Sequence, residues 1–111
     1  MSTLQFSQNA ESGVQVVELT GRLDNLTAAE FDKQVAELAS ERTVLDLANL
    51  QYISSAGLRS VLAAFKRATA AGGKLALAAP GPAIVEVFEI SGFVTLIPVF
   101  QDRAAAVSAL A

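Results

Sequence analysis

The sequence predicts an α/β fold built in two layers. Three observations carry that expectation. After an initial hairpin, segments of strand and helix character alternate to the end of the chain. Along the candidate strands, Val17, Leu19, Leu45, Leu47, Leu75 and Leu77 fall on one parity, while Glu18, Asp46 and the smaller Ala76 and Ala78 fall on the other. A sheet with helices on both faces would be apolar on both parities, so one face is better suited to be covered. Right-handed crossovers in a simple strand order would gather the helices on that face. Finally, 111 residues with 52% hydrophobic content suit one domain, residues 1–111, with its own core, and no linker or repeat divides them.

The elements follow in order. Leu4 to Ser7 and Val14 to Thr20, separated by Glu11-Ser-Gly13, read as the hairpin. Gly21 then leads to a helix from Thr27, where Thr27 with Glu30 forms a capping box and Leu26 with Phe31 a hydrophobic staple. Phe31, Val35 and Leu38 give its buried stripe. Thr43 to Leu47 is the next strand, with Asn49 and Gln51 as turn residues after it. A second helix starts near Ser54 or Ser55 and runs to about Ala71, with Leu58, Val61, Leu62 and Phe65 at helical spacing and Gly72-Gly73 ending it. Lys74 to Ala79 is a strand, and Pro80-Gly-Pro82 opens a third helix carrying Ile84, Val87 and Phe88, closed by Gly92. Leu96 to Phe100 is the last strand, and Asp102 caps a final helix bearing Val107 and Leu110.

Composition closes off much chemistry. The chain has no cysteine, which removes disulfides, thiolate catalysis and thiolate metal sites, and no histidine, the usual general base near neutral pH. Net charge is -3, and the basic residues Arg22, Lys33, Arg42, Arg59, Lys66, Arg67, Lys74 and Arg103 are scattered rather than clustered. Nucleic-acid binding is therefore disfavoured, and Lys66-Arg67 reads as a solvated helix face. No apolar run is long enough to cross a bilayer, and Met1 to Phe6 lacks the character of a signal peptide, so the expected location is the cytoplasm. No phosphate-binding glycine motif occurs around Gly72-Gly73 or Gly81, and no cofactor or metal is expected.

The segment from Leu45 to Arg59 holds the most chemistry. A strand passes through a polar turn into Ser54 and Ser55 and then an amphipathic helix. Serine is a preferred N-cap, because its oxygen accepts from a backbone N–H of the first turn that has no helical partner. Those amides and the helix dipole also favour a phosphate. Gly57 presents no side chain, which would let another protein approach the serines. A side chain placed at Gly57 is accordingly expected to hinder a partner without lowering stability. Asp24 and Asp46 stand near strand ends beside this turn. A carboxylate pair can hold Mg2+, yet Asp46 reads better as a solvated residue on the polar sheet face, and Asp24 as the group fixing the turn after Gly21. Tyr52 is expected to pack under the serine turn and Phe88 in the core.

The order of elements, the turn Gly21-Arg-Leu-Asp24, the strand Leu45-Asp-Leu47 and the turn Tyr52-Ile-Ser-Ser-Ala-Gly-Leu58 together resemble the STAS domain family. The likeness is greatest to its free-standing members, the bacterial anti-sigma-factor antagonists. It implies a small, largely parallel sheet with an antiparallel first strand and helices mainly on one side. It also implies a non-enzymatic regulator that switches partners. An anti-sigma factor with GHKL-type serine kinase activity would bind the protein and phosphorylate a serine of this turn, ending the binding, and a PP2C-type serine phosphatase would restore it. Asp24, Ser54, Ser55, Ala56, Gly57 and Arg59 are the implied partner-binding residues, and the position of Asp24 in the family lies near the phosphoacceptor.

One departure bears on the site. The commonest family pattern is Asp-Ser-Ser-Gly or Asp-Ser-Thr-Gly, with the acceptor hydroxyl directly before glycine, where this chain has Ala56. Ser55 matches the serine one step earlier and Ser54 stands at the usual aspartate. Because Ile-Ser-Ser-Ala-Gly-Leu is a variant found among these antagonists, Ser55 is the expected acceptor and Ser54 the runner-up. The alternative is a non-signalling STAS subunit of a transport complex, such as a lipid-transport ABC system, for which Ala56 would be no handicap. An enzyme ranks last.

Overall fold

The computed structural model describes residues 3–38, 41–92 and 95–111. The chain order is β1 (Leu4–Glu11), β2 (Val14–Leu23), α1 (Ala28–Ala36), β3 (Arg42–Ile53), α2 (Ser55–Ala70), β4 (Lys74–Ala78), α3 (Pro82–Ser91), β5 (Val99–Phe100) and α4 (Arg103–Leu110). The strands form one sheet in the order β1-β2-β3-β4-β5. Among the described residues only β1 runs antiparallel to its neighbour, and β2 to β5 are parallel. Among the described residues no helix is long and apolar enough to cross a membrane.

The side-chain parity expected from sequence organises the core. Val17, Leu19, Leu45, Leu47, Leu75 and Leu77 share one buried cluster with Phe31 from α1, Val61 and Ala64 from α2, and Ile84 and Phe88 from α3. The opposite face is covered as well, over a smaller area. Val14, Val16, Val44, Ala76 and Ala78 pack there against Ala106, Val107 and Leu110 of α4. The alanines at 76 and 78 let α4 lie close to the strands. Among the described residues, helices thus sit mainly on one face, with the short α4 on the other.

An ion cluster fastens that short helix. Arg103, the first residue of α4, donates from Nε to Asp46 Oδ2 at 2.8 Å, from one terminal nitrogen to Glu18 Oε2 at 2.6 Å and from the other to Glu11 Oε2 at 3.2 Å. These carboxylates hold the guanidinium pKa above its ordinary range: hydrogen bonds to Asp46 and Glu18 raise it most, and burial opposes them. Asp46 is therefore not the solvated residue expected from sequence; it is buried at 5% exposure beneath Arg103.

Several boundaries differ from the sequence expectation. β3 runs on to Ile53 through Asn49 and Gln51, because bulges near Thr20 and Gly21 let β2 follow it in a shifted register. Asn49 is a strand residue on a wet surface, donating from Nδ2 to Glu18 Oε1 at 3.1 Å. Gly21 fits its bulge because its φ is +108° and a Cβ there would collide with the Thr3 carbonyl. β1 reaches Glu11 rather than ending near Ser7. β5 shrinks to two residues, since Pro98 just before it has no N–H for a ladder.

Candidate functional site

The serine turn stands at the carboxyl ends of β2 and β3, where Leu23 pairs with Ile53 and Arg22 with Tyr52. The Ser54 N–H donates to the Leu23 carbonyl at 3.0 Å, tying the start of α2 to the end of β2. Ser54 is the N-cap: its backbone is extended, with φ -95° and ψ 175°, and its Oγ accepts from the Gly57 N–H at 3.2 Å. Ser55 is the first helical residue, and its side chain is exposed. One serine is thus engaged in ending the strand-to-helix turn, and the other is open to a second molecule.

Gly57 lies beneath this surface. It is buried, and a Cβ at position 57 would stand 2.6 Å from the Leu23 carbonyl oxygen and 2.9 Å from both Leu23 Cγ and Ile53 Cγ1. The missing side chain therefore serves the close packing of α2 on β2 and β3. It does not open a path for a partner, contrary to the sequence expectation. Ala56 is half-buried and Arg59 exposed on the first turns of α2.

The loop from Asp24 to Thr27 flanks the turn through the shared Leu23. Asp24 Oδ1 accepts from the Leu26 N–H at 3.0 Å and the Thr27 N–H at 3.2 Å, while the Asp24 N–H donates to Thr27 Oγ1 at 2.9 Å. Thr27 Oγ1 also donates to the Arg22 carbonyl at 3.0 Å. Thr27 therefore spends its hydroxyl backwards on the loop rather than capping α1, and the expected capping box is replaced by an Asx-type turn. Burial pushes the Asp24 carboxyl up, but the bonds from Leu26, Thr27 and Arg22 outweigh it and leave the pKa below its ordinary value. Asp24 and Asp46 have different partners, Thr27 and Arg22 in one case and Arg103 in the other, so they do not act as a pair.

Three exposed side chains complete the surface. Leu26 is 84% exposed and makes no staple with the fully buried Phe31. Tyr52 is 42% exposed instead of packing beneath the turn, and the Arg22 guanidinium lies 4.3 Å from its ring centre, a cation–π contact. Arg22 also reaches Asp24 Oδ2 at 3.5 Å, so it joins β3, β2 and the loop. Sequence reasoning missed Arg22 and read Leu26 as a packing residue. An apolar side chain in a polar turn was the available signal for Leu26; nothing local links Arg22 to Tyr52.

The arrangement is an exposed hydroxyl on a helix N-terminus, with exposed Leu26 in the loop after β2, an aromatic under an arginine at the ends of β2 and β3, and exposed Arg59 one turn along α2. The surface presents a hydroxyl, an apolar side chain, an aromatic ring and two guanidinium groups to solvent.

Comparison with known proteins identifies the fold and the family. BtrV of Bordetella bronchiseptica, which carries the name of an anti-sigma factor antagonist, is 37% identical over 109 residues, covering 96% of this chain and 94% of BtrV. A crystal structure of an anti-sigma factor antagonist from Mycobacterium paratuberculosis superposes with a TM-score of 0.88 at 22% identity, covering 96% of this chain and 93% of that one. SpoIIAA, a Bacillus cell fate determinant, has the same fold in its phosphorylated form, with a TM-score of 0.67 at 20% identity, covering 96% of this chain and 100% of that one. The STAS domain model matches residues 6–106, from the first strand to the last helix, and with the sheet order and serine turn in place the chain belongs to the STAS domain family.

Proposed function

We propose that this protein is an anti-sigma factor antagonist that works by partner switching. Unphosphorylated, it binds an anti-sigma factor with GHKL-type serine kinase activity. That partner phosphorylates Ser55, and a PP2C-type phosphatase reverses the modification. The observation that carries this proposal is the division of labour between adjacent serines: Ser54 Oγ is held by the Gly57 N–H, while Ser55 stands exposed at the first position of α2. The name of BtrV and the existence of SpoIIAA in a phosphorylated form support it.

Exposed Leu26, Tyr52 with Arg22, Ser55 and Arg59 form the contact surface, with Ser54 and Ala56 at its rim. Asp24 and Gly57 act from beneath, by fixing the loop and the helix start. Phosphate adds about -1.5 to -2 charges to a small neutral contact. Facing like charge or trapped without water, it costs several kcal/mol, and a loss of about 4 kcal/mol weakens binding roughly a thousandfold.

The test is intact mass and fragment-ion mapping after incubation with the cognate kinase and ATP. One phosphate is expected on the tryptic peptide Thr43–Arg59, localised to Ser55 and lost in Ser55→Ala. Stoichiometric phosphate on Ser54, or none from a kinase that binds the protein, overturns the assignment. Ala56 at the usual acceptor position favours a second reading, the non-signalling subunit of a transport complex. Under that reading no variant of the serine turn accepts phosphate.

A further inference from the structure

The two edges of the sheet are treated differently. β5 is two residues long, follows Pro98 and is flanked by α4, which blunts it as a template for another strand. β1 has eight residues, runs against β2 without a register shift, and contains no Lys, Arg or Pro. Its only charge is Glu11 at the end. Among the described residues no strand pairs with its outer side. Gln5, Ser7, Gln8, Asn9 and Ala10 are exposed, so even the core parity is uncovered at Gln8 and Ala10.

The hairpin decides which backbone groups face outward. Ser12 and Gly13 both have positive φ, 52° and 78°, so the two-residue loop is of type I′ and the flanking Glu11 and Val14 exchange hydrogen bonds. Alternation then turns the N–H and C=O of Glu11, Asn9, Ser7 and Gln5 toward β2. Those of Ala10, Gln8 and Phe6 point away from it.

We propose that this edge is a self-association surface, on which β1 of a second copy pairs antiparallel about a two-fold axis through Gln8. The register follows from the side chains. Opposed residues must share a face, so the two-fold passes through a residue, and Gln8, the middle of the outward-facing Phe6, Gln8 and Ala10, is the centre that opposes all three to one another. It sets Phe6 against Ala10, Ser7 against Asn9 and Gln5 against Glu11. The half-buried Phe6 gains the bare Ala10 as a neighbour, and each Glu11 meets a neutral amide rather than another carboxylate. The strand carries no charge from Leu4 to Ala10 that would select a foreign partner, and it is complementary to itself. The paired sheets form one continuous sheet, as in strand addition at an exposed edge.

The chain lacks cysteine, so single cysteines report the register cleanly. Gln8→Cys places the two sulfurs on opposed residues with Cα atoms about 5.5 Å apart, within disulfide range. Gln5→Cys places them roughly 20 Å apart. Under mild oxidation Gln8→Cys is expected to form mostly linked dimer and Gln5→Cys to remain monomeric; equal cross-linking by both overturns the register. In sedimentation equilibrium at about 0.5 mM, wild type is expected to associate, and Gln8→Pro to associate at least tenfold more weakly while melting as wild type does, because the N–H it loses is not used by β2. If Gln8→Pro fails to fold, Gln8→Lys, which sets two ammonium groups on the axis, takes its place with the same expected loss. Wild type that stays monomeric, or variants that associate equally well, refutes the proposal.

Discussion

Replacing Gly57 with alanine separates packing from helix propensity at the functional turn. In an exposed helix the change would add about 1 kcal/mol of stability, since glycine is the poorer helix former. Here the new methyl would stand 2.6 Å from the Leu23 carbonyl oxygen and 2.9 Å from Ile53 Cγ1. The first obstacle is backbone, which cannot swing aside, and moving it stretches the 3.0 Å bond from Ser54 N–H to the same oxygen. Overpacking of this kind costs about 1–3 kcal/mol, and a lost hydrogen bond about 1 kcal/mol more. The net expectation is a loss of about 1–3 kcal/mol, a fall in Tm of roughly 4–8 °C per kcal/mol for a domain near this size. Urea unfolding followed by circular dichroism measures it, with Ser55→Ala as a neighbouring control expected within about 0.5 kcal/mol of wild type. A Gly57→Ala protein as stable as wild type, or more so, would refute the packing argument. The result also governs interpretation: weakened partner binding in a Gly57 variant reports a displaced helix start, so direct contact is better tested at Leu26 and Arg59.

Other perturbations address the remaining parts. Arg103→Met should cost about 2–3 kcal/mol in the same unfolding assay, because it leaves the buried Asp46 carboxylate, bonded then only to the Ala48 N–H, without a counter-charge beside Glu18; Arg103→Lys should recover only part, lacking the fork that reaches three carboxylates. Ser54→Ala should lose about 0.5–2 kcal/mol as the N-cap is removed, and equal stability of Ser54→Ala and Ser55→Ala would contradict the capping assignment. Asp24 has a folded pKa below its unfolded value of roughly 4, so it adds stability that is full above that value and disappears as pH falls through the folded one. Asp24→Asn should flatten the acid limb of the stability profile, and an unchanged limb would show that Asp24 is not held by the loop.

Much of the fold was legible because sequence records it locally. The two-residue parity of Leu45 and Leu47, the helical spacing of Leu58, Val61, Leu62 and Phe65, and the Asp102 cap each act within a few residues, and each element exists where those signals place it. What sequence hid depends on distant partners. Asp46 looks solvated until Arg103, contributed by another element, lies 2.8 Å from it. Tyr52 and Arg22 meet only because β2 and β3 pair through a bulge. Asn49 and Gln51 carry turn chemistry yet lie in a strand, since side-chain preference yielded to ladder bonds with β2. Gly57 misled for a related reason: an absent side chain looks the same whether the space is meant for a partner or already filled by Leu23.

The proposed acceptor, Ser55, has a physical account in the helix start. Moving a hydroxyl from position 56 to position 55 turns it by about 100° and withdraws it by about 1.5 Å along the axis. On α2 that rotation carries it from a half-buried site to an exposed one. Ser54 already supplies the cap that satisfies the Gly57 amide, so modification of Ser55 need not disturb it. The first-turn amides of Ser55 and Ala56 have no helical acceptor, and with the dipole they favour an added anion by about 0.3–1 kcal/mol. A phosphate on Ser55 is thus compatible with the turn it occupies and gives α2 no reason to melt. In the proposed switch, the penalty that separates bound from free states therefore arises across the interface, where the phosphate would be desolvated or face a partner's charge, without refolding of the sheet.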